Sequence, residues 1–201
     1  MKLICKLSSS ILFYLLISSV GLSKNNQTVL DSVSMAMHQE GGMLIEATLE
    51  QNQTENNWTD YISIEIIDST RFVVIGTEQI LKVDVDTIYT FTPETNQLVI
   101  DRYYRNDFNL LSILSGNMRQ IEIVKVQKRI RDTIIDCTVP HFESRGKIWI
   151  NSKTYYPIKI LLEDDLDNSS TITIDSIEPL GFVHQYDEYI LYGWEIIDLR
   201  E

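Results

Sequence analysis

Two spacings of apolar residues divide the chain. Between 25 and 40, Val29, Leu30, Val33 and Met37 recur at helical intervals and Gly41-Gly42 ends the run, which predicts one amphipathic helix. Past the glycines the period drops to two. Met43, Ile45, Ala47 and Leu49 alternate with their neighbours, and Ile62, Ile64 and Ile66 do the same before a turn at Asp68-Ser69. Four shorter runs follow at 71–75, 79–83, 87–92 and 97–101, separated by turn residues at 76–77, 84–86 and 93–96. Strands this short, punctuated this way, predict an antiparallel meander and argue against βαβ units.

The alternation breaks once. Asp107-Phe108-Asn109 leads into Leu110, Leu111, Ile113 and Leu114 and stops at Gly116, which reads as a short, capped and unusually apolar helix. Strands resume at 120–128, 131–139, 146–151, 157–163 and 170–176, with 164–169 as a hairpin tip, and the tail 186–200 reads as a last extended segment. The expectation is about eleven strands, one long N-terminal helix and one short greasy helix in mid-chain.

The first residues have a different character. Lys2 and Lys6 precede an apolar run, 7–20, that serines interrupt and Ser18, Ser19 and Gly21 close. That run is too short to span a bilayer comfortably, so 1–21 reads as a secretory signal peptide, with an uncleaved anchor as the alternative, and 22–201 as one domain. Cys5 lies inside the charged leader and not at the cleavage point, so the chain itself is expected to carry no lipid. Cys137 is then left without a disulfide partner and is expected to be buried in a strand.

Charge narrows the function. The formal net charge is −12, and losing Lys2 and Lys6 with the leader takes it to −14. Phosphate backbones and anionic lipid faces repel such a body, so neither nucleic acid nor permanent residence on a membrane surface is expected. Reactive constellations are missing too. His38, His141 and His184 have no metal-ligand spacing, Pro140 separates Cys137 from His141, and no nucleophile elbow, dinucleotide fingerprint or P-loop occurs. The acidic stretch 163–168 lacks the turn glycine and closing glutamate of a calcium loop and reads as a solvated hairpin tip. No catalytic residue, metal or cofactor is expected. A sheet covered by greasy helices either fills its inner face or encloses a hollow. Lining and core residues are chemically alike, and on period alone a filled core is the ordinary outcome.

From Thr70 to Gly116 the chain resembles the periplasmic outer-membrane lipoprotein carrier family, the LolA type. The likeness is carried in order by Arg71-Phe72, by Gln79-Ile80-Leu81-Lys82-Val83-Asp84, by Ile88-Tyr89-Thr90-Phe91-Thr92-Pro93, by Asn96-Gln97-Leu98-Val99-Ile100 and by Leu110-Leu111-Ser112-Ile113-Leu114-Ser115-Gly116. It continues through Ile158 to Leu162 and Thr171 to Ile174, and closes on Glu195-Ile196-Ile197-Asp198-Leu199-Arg200. Val85 stands where the family has a turn glycine, and Tyr89 where it has tryptophan. The resemblance implies a mainly β fold, a strongly curved, unclosed antiparallel half-barrel of about eleven strands with a helical lid. It implies an apolar cavity and lid built from Phe72, Val74, Leu81, Tyr89, Phe91, Leu98, Ile100, Leu110, Leu111, Ile113, Leu114, Ile158, Ile160 and Leu162. Arg71 stands at the position of the family's latch arginine, which bonds lid carbonyls; an ordinary salt bridge is its other reading. The resemblance further implies a monomeric periplasmic carrier of acylated lipoproteins, not an enzyme. It would be loaded by an ATP-driven extractor in the inner membrane and unloaded on an outer-membrane acceptor. A carrier of another lipid or amphiphile and an envelope-stress sensor on the same fold are the alternatives; a lipid hydrolase would need the triad that is missing.

Overall fold

The computed structural model describes residues 28–53, 57–104, 113–116, 118, 121–139, 144–164, 168–181 and 194–200. The expected leader 1–21, the lid residues Leu110 and Leu111, and His141 and His184 lie outside the described residues.

One helix, α1 (28–37), precedes twelve strands. They are β1 (Met43–Asn52), β2 (Asn57–Asp68), β3 (Arg71–Ile75), β4 (Ile80–Asp84), β5 (Thr87–Thr92), β6 (Gln97–Arg102), β7 (Glu122–Lys128), β8 (Asp132–Val139), β9 (Ser144–Asn151), β10 (Pro157–Glu163), β11 (Ser169–Pro179) and β12 (Glu195–Asp198). All twelve form one sheet in the order β12-β6-β5-β4-β3-β2-β1-β11-β10-β9-β8-β7. Two meanders, β1 to β6 and β7 to β11, are therefore joined through the long antiparallel pair β1–β11. The twelfth strand is the tail segment, which adds to β6 in parallel. Among the described residues β12 and β7 are its edges, and the sheet does not close. This is the mainly β, helix-covered open half-barrel that the resemblance implies.

Alternation fixes two faces. On the inner one, Met43, Ile45 and Ala47 of β1 stand beside Ile62, Ile64 and Ile66 of β2, with Phe72 and Val83 on one side and Ile135, Ile148, Ile150, Ile160 and Ile172 on the other. The apolar stripe of α1 lies in this same cluster, Val33 completely buried. Burying such a stripe against a sheet is what holds a helix of ten residues that water alone would not. Gly41 and Gly42, at φ 93° and 83°, then turn the chain into β1. A Cβ at Gly42 would stand 2.5 Å from the Ile66 carbonyl oxygen, so the turn needs glycine there twice over.

The connection from β6 to β7 must cross the whole molecule, because those strands lie toward opposite edges of the sheet. It leaves at the end where α1 meets β1 and arrives at the other end. Ile113 and Leu114, in a helical turn within it, are fully buried, and Met118 and Ile121 nearly so. These described residues cover part of the inner face.

Candidate functional site

The inner face is filled at one end and hollow at the other. Where α1 and the 113–116 turn lie, Met37, Ile45, Ile64, Leu114 and Ile135 interlock without exposure. Gly116, at φ 77°, sits against His38 so closely that a Cβ would come within 2.6 Å of the imidazole Cε1, while His38 Nδ1 lies 2.6 Å from the Ser34 carbonyl oxygen. Helix and crossing segment are thereby fitted to each other.

At the opposite end the strands line an open cavity of about 550 Å³. Its floor is apolar: Leu49 of β1, Ile62 of β2, Val74 of β3, Leu81 of β4, Leu162 of β10 and Ile172 of β11. Its rim is polar, formed by Gln51, Gln53, Ser144, Glu163, Asp164 and the start of β11. Leu81 and Ser144 belong to strands six places apart in the sheet, roughly 29 Å if it were flat. One cavity touching both means that the sheet curls around it. Its volume falls inside the range of roughly 300–1,000 Å³ in which proteins hold small ligands, and an apolar floor under a polar rim is the usual composition of such sites.

Two carboxylates near this end have structural work. Asp60 is buried and accepts hydrogen bonds from the Thr77 amide, at 3.1 Å to Oδ2, and from the Thr77 hydroxyl, tying the β3–β4 turn to β2. Asp164 accepts from the Asn168 amide at 3.0 Å and from its side chain at 2.9 Å, closing the β10–β11 tip on itself. Among the described residues no group of three His, Cys, Asp or Glu is arranged to hold a metal. Cys137 is buried in β8, and burial, then the charge of Asp136, pushes its thiol up to about 11, so it stays protonated at neutral pH.

The residues expected around a cavity divide into three groups. Phe72, Val74, Leu81, Ile113, Leu114, Ile160 and Leu162 belong to the inner-face core or pack against it; of these, Val74, Leu81 and Leu162 line the cavity and the others are closed within packed side chains. Tyr89, Phe91, Leu98 and Ile100 are on the outer face, in a separate cluster with Val73, Ile80 and Trp194, where Phe91 meets the Trp194 ring edge-on at 6.2 Å between centroids. Register is the reason. Val74 pairs with Leu81 and Leu81 with Thr90, which leaves Tyr89 and Phe91 pointing the other way, and Leu98 and Ile100 follow them across the β5–β6 pair. Ile113 and Leu114 belong to the inner cluster and not to this one. Ile158 is exposed, beside an irregularity in the β9–β10 register. Leu49, Ile62 and Ile172 line the cavity without having been expected there; their alternation with neighbours on β1, β2 and β11 was the available signal.

Arg71 opens β3 with its guanidinium half-exposed, 2.7 Å from Asp68. Burial would raise the Asp68 carboxyl, but bonds from the Thr70 hydroxyl and amide and from Arg71 hold it below the ordinary carboxylate value. The ion-pair reading of Arg71 is the one this geometry gives; the lid carbonyls at 110–112 lie outside the described residues.

No family model matches the chain, and no curated protein matches it significantly. Among solved structures, an uncharacterized conserved protein from Thermus thermophilus superposes with a TM-score of 0.57 at 8% identity, covering 87% of this chain and 99% of that one. A LolA superfamily protein from Nitrosomonas europaea aligns at a TM-score of 0.45 and 10% identity over 82% of this chain and 96% of its own. LprF from Mycobacterium bovis aligns at 0.46 and 10% over 81% and 97%. The likeness to the Thermus protein is one of fold.

Proposed function

We propose that this chain is a periplasmic carrier that takes the acyl chains of lipoproteins into its inner-face cavity and moves them from the inner to the outer membrane without catalysis. The observation that carries the reading is the cavity itself, an apolar floor of six side chains open through a polar rim. Each methylene withdrawn from water contributes roughly 0.8 kcal/mol, so the hold grows with the length of chain seated there. The polar rim suits a cargo whose head and attached polypeptide stay in water.

A carrier must also let go. The turn at 113–116 supplies the means, because Ile113 and Leu114 pack in the same inner-face cluster that the cavity floor residues Ile62 and Ile172 belong to. A longer tail would displace them and replace one set of apolar contacts by another. The exchange leaves the net free energy small and loading reversible. Charging by an ATP-driven extractor and delivery to an outer-membrane acceptor complete the cycle and come from the family resemblance.

The test is titration with a solvatochromic hydrophobic dye, followed by competition with palmitoyl lipid. One saturable site, emptied by the lipid and blocked by Ile172→Trp, is the expected outcome. A dye that never saturates would sink the proposal. Mass spectrometry of lipid retained from the native envelope then names the cargo: diacylated peptide supports lipoprotein, and free lipid points to another amphiphile in the same cavity.

A further inference from the structure

Charge is spread unevenly along the chain. Residues 119–159 hold nine of its 17 Lys and Arg but four of its 29 Asp and Glu, a local +5 within a total of −12. The fold collects four of these cations at one place. Lys128, Arg129 and Arg131 lie at the β7–β8 turn and Lys153 in the β9–β10 turn, all exposed, and among the described residues none of them is in a salt bridge. The two turns are stapled together. The Ser152 amide donates to the Arg131 carbonyl at 3.1 Å, the Ser152 hydroxyl to the Arg129 carbonyl at 3.4 Å, and the Arg129 amide to the Asp132 carbonyl at 2.8 Å. Between the two arginines Ile130 is 97% exposed, and Tyr155 beside them is 41% exposed. Folding gains nothing from an isoleucine held out in this way.

We propose that this tip, Lys128, Arg129, Ile130 and Arg131 with Lys153 and Tyr155, docks the protein reversibly on an anionic lipid bilayer. Cations that reach phosphate while an apolar side chain and a tyrosine enter the headgroup layer are the elements of interfacial binding. A protein partner would need shape to read; Lys128, Arg129 and Tyr155 border a hollow of about 220 Å³ against α1, but Ile130 is not part of its lining and projects beyond it. A bilayer receives an apolar side chain wherever it lands. The total charge of the chain does not prevent this, because screening over about 8 Å leaves the membrane facing the tip and not the distant acids.

The orientation follows from the strands. β9 runs from Ser144 at the cavity rim to Asn151 beside the tip, about 23 Å over its length. A protein seated by the tip holds its cavity mouth away from the bilayer, toward whatever projects from that membrane.

The experiment is sedimentation of the purified full chain with vesicles of phosphatidylcholine, alone or containing phosphatidylglycerol. Binding to the phosphatidylglycerol vesicles only, weakening with salt, is expected. Replacing Arg129→Ala and Arg131→Ala together lowers it roughly 25-fold, about fivefold per cation, and Ile130→Ser lowers it further. The double Arg→Lys variant keeps it. Dye uptake and thermal midpoint are unchanged in all of these, which separates the tip from the cavity and from folding. Equal binding by wild type and the double alanine variant, or no vesicle binding by wild type, overturns the proposal. Equal loss in the lysine and alanine variants does so too, since it marks a site that reads guanidinium shape, as an acidic protein partner would.

Discussion

Val85 is the residue where this sequence departs most instructively from its resemblance. It occupies the β4–β5 turn at φ 62°, with its amide bonded to the Thr70 carbonyl, in the left-handed region that a β-branched side chain resists. The departure was visible in the sequence as a valine in place of a turn glycine; its conformation was not, because the turn type depends on the pairing of the flanking strands. Val85→Gly should raise stability by about 1 kcal/mol, read from the denaturant midpoint at unchanged slope. Cys137 gives a second prediction. Its folded value lies above that of an unfolded thiol, so its contribution is complete below about 9 and fades as pH rises through about 11. A thiol reagent at neutral pH should leave it unmodified in the native protein and label it fully in denaturant. Labelling at equal rates in both would mean that β8 opens readily.

At the scale of elements, strand positions were legible and strand faces only partly so. The runs 71–75, 87–92 and 157–163 coincide with β3, β5 and β10 because alternation and turn residues agree on their ends. Which side of β5 faces inward was not readable from Ile88-Tyr89-Thr90-Phe91, where both parities carry apolar residues. Only the ladder passed on from β3 through β4 decides it, and it sends Tyr89 and Phe91 outward. The turn at 113–116 was recognisable by its apolar residues, and its burial accords with the positions of β6 and β7 toward opposite edges of the sheet. Leu114→Ala, at a fully buried site in that segment, should cost roughly 2–5 kcal/mol. A loss below that range would show that the turn readily lifts from the sheet.

For the whole molecule, the choice between packed core and hollow could not be made from periodicity, and the answer is both. α1 fills one end of the curled sheet and the other end stays open, a division set by where the helix joins β1. Ile172→Trp tests that division, because the added rings have empty space to enter. Dye uptake should disappear while stability shifts by no more than about 1–3 kcal/mol. If it unfolds the protein instead, the cavity is too well closed to accept a guest.

The seam between β1 and β11 has a consequence for biosynthesis. Met43 pairs with Pro179, so the first strand waits for almost the last before the two half-sheets can join. Closing so long a loop is entropically slow, and each half presents a bare apolar surface until it happens. A chain made from its N-terminus therefore leaves apolar sheet surface in need of shelter until its C-terminal strands have followed.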